Sequence, residues 1–142
     1  MTPAQIATFK ADILANVGTR PISDMGAIVA YYNADAASGF LWRPVVPARE
    51  LNTAIVWSEF IALPVATQNG YFAILSAGSM DATSANIRAG FGTIFSGTSQ
   101  TNLVALVKRT PTNFEALYTT SNVCALFGTV VTVADVARAL AS

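Results

Sequence analysis

Any chemistry in this chain has to come from eight carboxylates, eight basic side chains and a single thiol, because it contains no histidine. Without histidine the commonest general base, the usual nucleophile-activating triads and most zinc sites are lost together. The acids Asp12, Asp24, Asp35, Glu50, Glu59, Asp81, Glu115 and Asp135 fall in no calcium-loop spacing and no paired motif. The densest oxygen cluster is Asp81-Ala82-Thr83-Ser84 with Asn86, and it reads as a helix N-cap in preference to an ion loop. Gly90-Phe91-Gly92 lies inside a helical pattern and lacks the Gly-Lys-Ser/Thr ending of a phosphate loop. Cys124 stands among Val123, Ala125 and Leu126, the setting of a buried, inert thiol, and alone it forms no internal disulfide. The expectation is a protein that is not an enzyme, with no catalytic, cofactor-binding or metal-binding residue and no small-molecule substrate.

The basic side chains point elsewhere. Eight bases and eight acids cancel, and no basic stripe runs along the chain, so nucleic acid is not the expected partner. Lys108-Arg109, with Arg88, reads better as helix capping or as subunit salt bridges. Trp42-Arg43 stands out, with Arg49 close behind. Trp and Arg dominate interface hot spots, and Pro44 and Pro47 stiffen the segment that would present them. Phe40, Trp42, Arg43, Arg49, Arg88, Lys108 and Arg109 are therefore the candidate subunit-interface residues. The competing reading is that Phe40 and Trp42 fold back over the core. It is the stronger one for Phe40, and the two are balanced for Trp42 and Arg43.

These residues must be carried by helices. The helical start Thr2-Pro3-Ala4-Gln5 is a capping box with proline at the first helical position, followed by Ile6, Phe9, Ile13, Leu14 and Val17 and a stop at Gly18. A second helix follows Pro21 and Ser23, with Met25, Ile28, Val29 and Tyr32 on one face. Phe40–Pro47 is extended, and a helical turn follows over Pro47–Asn52. Further helices are expected over Ile55–Leu63, with Trp57, Phe60 and Ile61 available for packing, and over Gln68–Ala77 and Ser84–Phe95. Another is marked by Leu103, Leu106 and Val107 and closes with Lys108 and Arg109, where cations suit the helix dipole. Thr110-Pro111-Thr112 restarts a short helix with Phe114, Leu117 and Tyr118. Asn122–Val131 suggests a small hairpin. Thr132-Val133-Ala134-Asp135 caps a last helix with Val133, Val136 and Leu140. The fold expected is mainly α, a single compact domain over residues 1–142 of about seven short helices, with room for a small β-hairpin near the C-terminus.

What covers such a fold is unusual. Apolar residues make up 53% of the chain and charged residues 11%, against about 25% charged in ordinary domains. Ser and Thr, 10 and 15 residues, must supply most of the polar surface. Zero net charge does nothing to keep copies apart, and interface cores are depleted of charge, so the composition suits a subunit of an assembly. A membrane span is not expected, since the longest apolar runs, such as Ala27–Tyr32, fall far short of ~20 residues. Lys10 and Asp12 interrupt the first turns where a secretory signal would need its apolar core.

Several blocks resemble a family of small, mostly uncharacterised structural proteins of tailed bacteriophages and prophages. They are Met1-Thr2-Pro3-Ala4-Gln5-Ile6 with Lys10-Ala11, the Tyr32-Asn33-Ala34 to Trp42-Arg43 block, and Leu75-Ser76-Ala77-Gly78. Asn86-Ile87-Arg88-Ala89-Gly90, Ile94-Phe95-Ser96-Gly97, Leu106-Val107-Lys108-Arg109 and Glu115-Ala116-Leu117 complete the series in the expected order. The departure is at Thr119–Cys124, where family members tend to carry a Gly/Thr-rich turn. The resemblance implies a virion component, made in the host bacterial cytoplasm, whose partners are copies of itself and other virion proteins. A head–tail connector or adaptor (neck) protein leads. A capsid cement protein, a tail or baseplate component, and an assembly chaperone absent from the mature particle are the alternatives.

Overall fold

A computed structural model describes residues 1–16 and 24–142, so Val17, Gly18, Pro21 and Ser23, expected at a helix end and a helix start, lie outside the described residues. The fold is mainly α. In chain order the elements begin with α1 (Pro3–Ala15), α2 (Met25–Asn33), β1 (Leu41–Trp42), β2 (Val46–Pro47) and α3 (Ala48–Ala54). There follow α4 (Trp57–Ile61), α5 (Val65–Leu75), β3 (Ser79–Met80), α6 (Ala85–Ile94) and α7 (Gly97–Leu106). Last come β4 (Lys108–Arg109), α8 (Asn113–Ala116), β5 (Thr119–Thr120), β6 (Val123–Cys124) and α9 (Val133–Ala141). Contacts gather in two compact units, one of Met1–Gly39 with Thr110–Ser142, the other of Phe40–Arg109.

The first unit is framed by three capping boxes. Thr2 with Gln5 opens α1, Thr112 with Glu115 opens α8, and Thr132 with Asp135 opens α9. In each, a side-chain oxygen satisfies an amide that the first helical turn leaves without a partner. The helices meet over Phe9, whose ring sits edge-on to Tyr32 at 4.9 Å and to Phe114 at 5.0 Å, with Ile13, Ile28 and Val136 buried around them. Asn33 ties α2 to the approach of α9. Its amide donates to the Val131 carbonyl at 2.9 Å, and its oxygen accepts from the Val131 amide at 2.8 Å. The hairpin pairs β5 with β6, a little N-terminal to the expected Asn122–Val131. Its turn is Ser121-Asn122 at φ 51° and 63°, two left-handed residues in succession, as tight antiparallel hairpins require. Buried Cys124 directs its thiol to the Glu115 carbonyl at 3.4 Å.

In the second unit two short antiparallel pairs stitch the helices together. β1 lies against β4, with Leu41 opposite Arg109 and Trp42 opposite Lys108, and β2 lies against β3. This corrects one expectation: α7 ends at Leu106, with Val107 as its C-cap, and Lys108-Arg109 is a strand, not a helix end. The extended, proline-held Phe40–Pro47 segment needs a partner for its backbone, and Lys108-Arg109 supplies one. α5 starts at Val65, earlier than expected, directly behind Pro64, which is extended and cannot continue a helix from its N-terminal side. The core joins Leu51, Phe60, Tyr71, Met80, Phe91, Phe95 and Leu103. Among the described residues no helix is long and apolar enough to cross a membrane.

Candidate functional site

The basic and aromatic residues singled out above fall in the Phe40–Arg109 unit, and the strand pair brings four of them together. Phe40 and Trp42 meet edge-to-face at 5.0 Å. The Lys108 ammonium lies 4.3 Å from the Phe40 ring centre and 5.1 Å from that of Trp42, and the Arg88 guanidinium lies 4.3 Å from Trp42. Alternating cations and π faces attract because a ring is electron-rich above and below its plane. Arg88 is fixed further by donating to the Ala82 and Thr83 carbonyls at 2.6 and 2.9 Å. Trp42 is half-buried and packs against the core.

Arg43 is engaged separately. Its guanidinium donates to Glu50 at 2.7 Å and to the Leu106 carbonyl at 3.1 Å. The Arg43 hydrogen bond holds the Glu50 carboxyl below its usual range, with the charges of Arg43 and Arg49 adding to the pull. Arg49 itself is exposed on α3, and Arg109 is half-buried opposite Leu41. Asp81 does not cap α6. It accepts from the Thr83 amide at 2.8 Å and the Thr83 hydroxyl at 2.6 Å, while Ser84 is the N-cap. Among the described residues no three of His, Cys, Asp and Glu gather where they would hold a metal ion.

Beside Trp42 a cavity of about 180 Å³ opens between α6 and α7, lined chiefly by apolar side chains, among them Phe91, Phe95, Leu103 and Val104. Its polar side chains are Arg88 and Gln100.

A second feature was missed by the sequence reading, which assigned Trp57, Phe60 and Ile61 alike to packing. Only Phe60 is buried. Trp57 is 49% exposed, Ile61 70%, Val65 70% and Phe72 49%, a concentration of large apolar side chains on α4 and α5. The rings of Trp57 and Phe72 both rest on Phe60, at 5.3 and 5.4 Å, so they form one surface. That surface has no charge to spare. Between Glu50 and Asp81 the only charged residue is Glu59, and its carboxylate accepts from the Thr98 and Ser99 amides at 3.0 and 2.8 Å. The signal was present in the sequence as that uncharged stretch, with Trp57 and Ile61 one helical turn apart. What the arrangement can do is bind another apolar surface, and it offers nothing for acid–base or nucleophilic work. No family model, no curated protein and no solved structure matches this chain.

Proposed function

We propose that the chain is a structural subunit of a bacteriophage particle, a head–tail connector or adaptor that works through protein–protein contacts. The observation that carries this reading is the exposed apolar surface of Trp57, Ile61, Val65 and Phe72. Contiguous apolar surface of this kind marks an interaction site, because leaving it in water costs ~25 cal/mol for each Å². Zero net charge supports the same reading, since nothing opposes the approach of further copies. The phage assignment rests on the sequence resemblance, and the neck position on the suitability of small helical domains for rings.

Mass spectrometry of purified particles of the encoding phage or induced prophage tests it. The expected result is the chain in mature virions at a ring-sized copy number. A shell-sized copy number would move it to the capsid surface, and absence from the particle would make it an assembly chaperone, either of which overturns the connector reading.

A further inference from the structure

The Phe40–Arg109 unit carries both a projecting apolar surface and an apolar cavity, on different elements and with no residue in common. We infer that the two are halves of one contact: Trp57 of one copy enters the cavity beside Trp42 of the next. This rests on the proposed role as a self-assembling subunit and names the surfaces involved.

Size, polarity and charge each support a second copy as the occupant. A cavity of ~150 Å³ admits a benzene ring, so the cavity of about 180 Å³ here has room for the six-membered ring of an indole. The cation at its wall, Arg88, already stacks on Trp42 at 4.3 Å, and an entering indole, the best π partner for a guanidinium, extends that stack. The Trp57 indole N–H has no hydrogen-bond partner among the described residues, and the Gln100 side chain at the cavity supplies an acceptor that is likewise uncommitted. The entering surface brings no charge that would be stranded on burial, because the carboxylate of Glu59 is already satisfied by Thr98 and Ser99. A surface that fits a pocket elsewhere on the same molecule makes a heterologous contact. Such contacts propagate from copy to copy and close into rings when the rotation allows.

Heterologous pairing has a distinctive test in the full-length protein. Trp57→Lys ruins the projection and leaves the cavity intact. Gly92→Phe fills the cavity and leaves the projection intact, since a side chain at Gly92 heads toward Gln100, whose amide lies 3.9 Å from the added Cβ. In sedimentation runs at neutral pH the unmodified protein is expected to form higher oligomers. Each variant alone should lose ~30-fold or more in self-association. An equimolar mixture should recover association and stop at one-to-one dimers, because each variant retains one working half. Ile61→Lys and Val104→Trp provide a second pair if either first variant loses its helical circular dichroism. The inference is overturned if the cavity-filled variant still self-associates, which signals surface-to-surface pairing, if the mixture stays monomeric, or if the unmodified protein is a monomer. A chain found in virions that fails this complementation refutes the contact and leaves the proposed function standing.

Discussion

Two tryptophans of similar sequence surroundings carry different loads. Trp42 is half-buried against the core and held between Arg88, Lys108 and Phe40, whereas Trp57 rests on Phe60 with 49% of its surface exposed. Trp42→Ala should therefore lower the stability of the isolated protein by ~2–3 kcal/mol, at or below the bottom of the ~3–5 kcal/mol range for buried aromatic truncation, because the ring is not fully enclosed. Trp57→Ala should cost less than ~1 kcal/mol and act on association instead. Urea unfolding of both variants checks this, and equal losses would refute the contrast. Neither outcome could be read from the sequence. Both residues sit in short apolar segments, and what half-buries Trp42 is the pairing of its strand with Lys108-Arg109 far along the chain. The aromatic–basic content of the cluster was legible, whereas its assembly by a strand pair was not.

Helix caps divide in the same way between local and distant partners. The starts of α1 and α9 were legible because Thr2 and Thr132 find their partners within one turn. The start of α7 was not legible. Ser96 makes no side-chain cap, and the carboxylate of Glu59 on α4 serves the Thr98 and Ser99 amides instead. Bonds from the Ser99 hydroxyl and amide, and then from Thr98, hold the Glu59 carboxyl below its ordinary 4.5. The ionised form is thus favoured by folding. Its contribution is complete above pH 4.5 and fades as the pH falls through the folded value. Glu59→Gln should lower the melting temperature at pH 7 and flatten its decline below pH 4.5, with part of the acid sensitivity left to Glu50 and Asp135, whose carboxyls are also held low. Thermal melts from pH 3 to 7 measure this, and parallel curves for the two proteins would refute it. Gly97 belongs to the same device. It lies at φ 65°, and an added Cβ would stand 3.0 Å from Glu59 Oε1. Gly97→Ala should destabilise by ~1–2 kcal/mol in urea unfolding, through left-handed strain and displacement of the cap. A loss within ~0.3 kcal/mol of zero would show that the turn relaxes freely.

On the scale of the molecule, a mainly α fold was legible from periodicity and caps, while its grouping into two compact units was not. No linker or change of composition marks Gly39–Phe40 or Arg109–Thr110, so the chain reads as one domain. Each unit holds a tyrosine that reports on it, Tyr71 fully buried and Tyr118 half-buried. Burial pushes Tyr71 up to about 12 in one unit, and burial with the nearby Asp12 charge does the same for Tyr118 in the other. Their hydroxyls donate to Asn52 Oδ1 at 2.9 Å and to the Gln5 carbonyl at 2.7 Å. Folding favours the neutral phenol, so this stability is full below pH 10 and is lost as the pH rises toward 12. Both units should weaken across that window, followed by phenolate absorbance together with circular dichroism. Ionisation of Tyr71 and Tyr118 near 10 in the folded protein would refute it.

Pairing of β1 with β4 has a genetic consequence. The chain enters and leaves the Phe40–Arg109 unit on strands ~5 Å apart. On the other unit, Ala36 and Ala34 are joined by backbone hydrogen bonds of 2.9 Å to Pro111 and Asn113. Within each unit, taken by itself, the two points where the chain crosses to the other are neighbours, the arrangement that tolerates insertion and replacement of whole segments. The codons between Gly39 and Thr110 form a cassette. Exchange of that cassette as one piece would replace the Phe40–Arg109 surface while the capped helices α1 and α9 keep their own core.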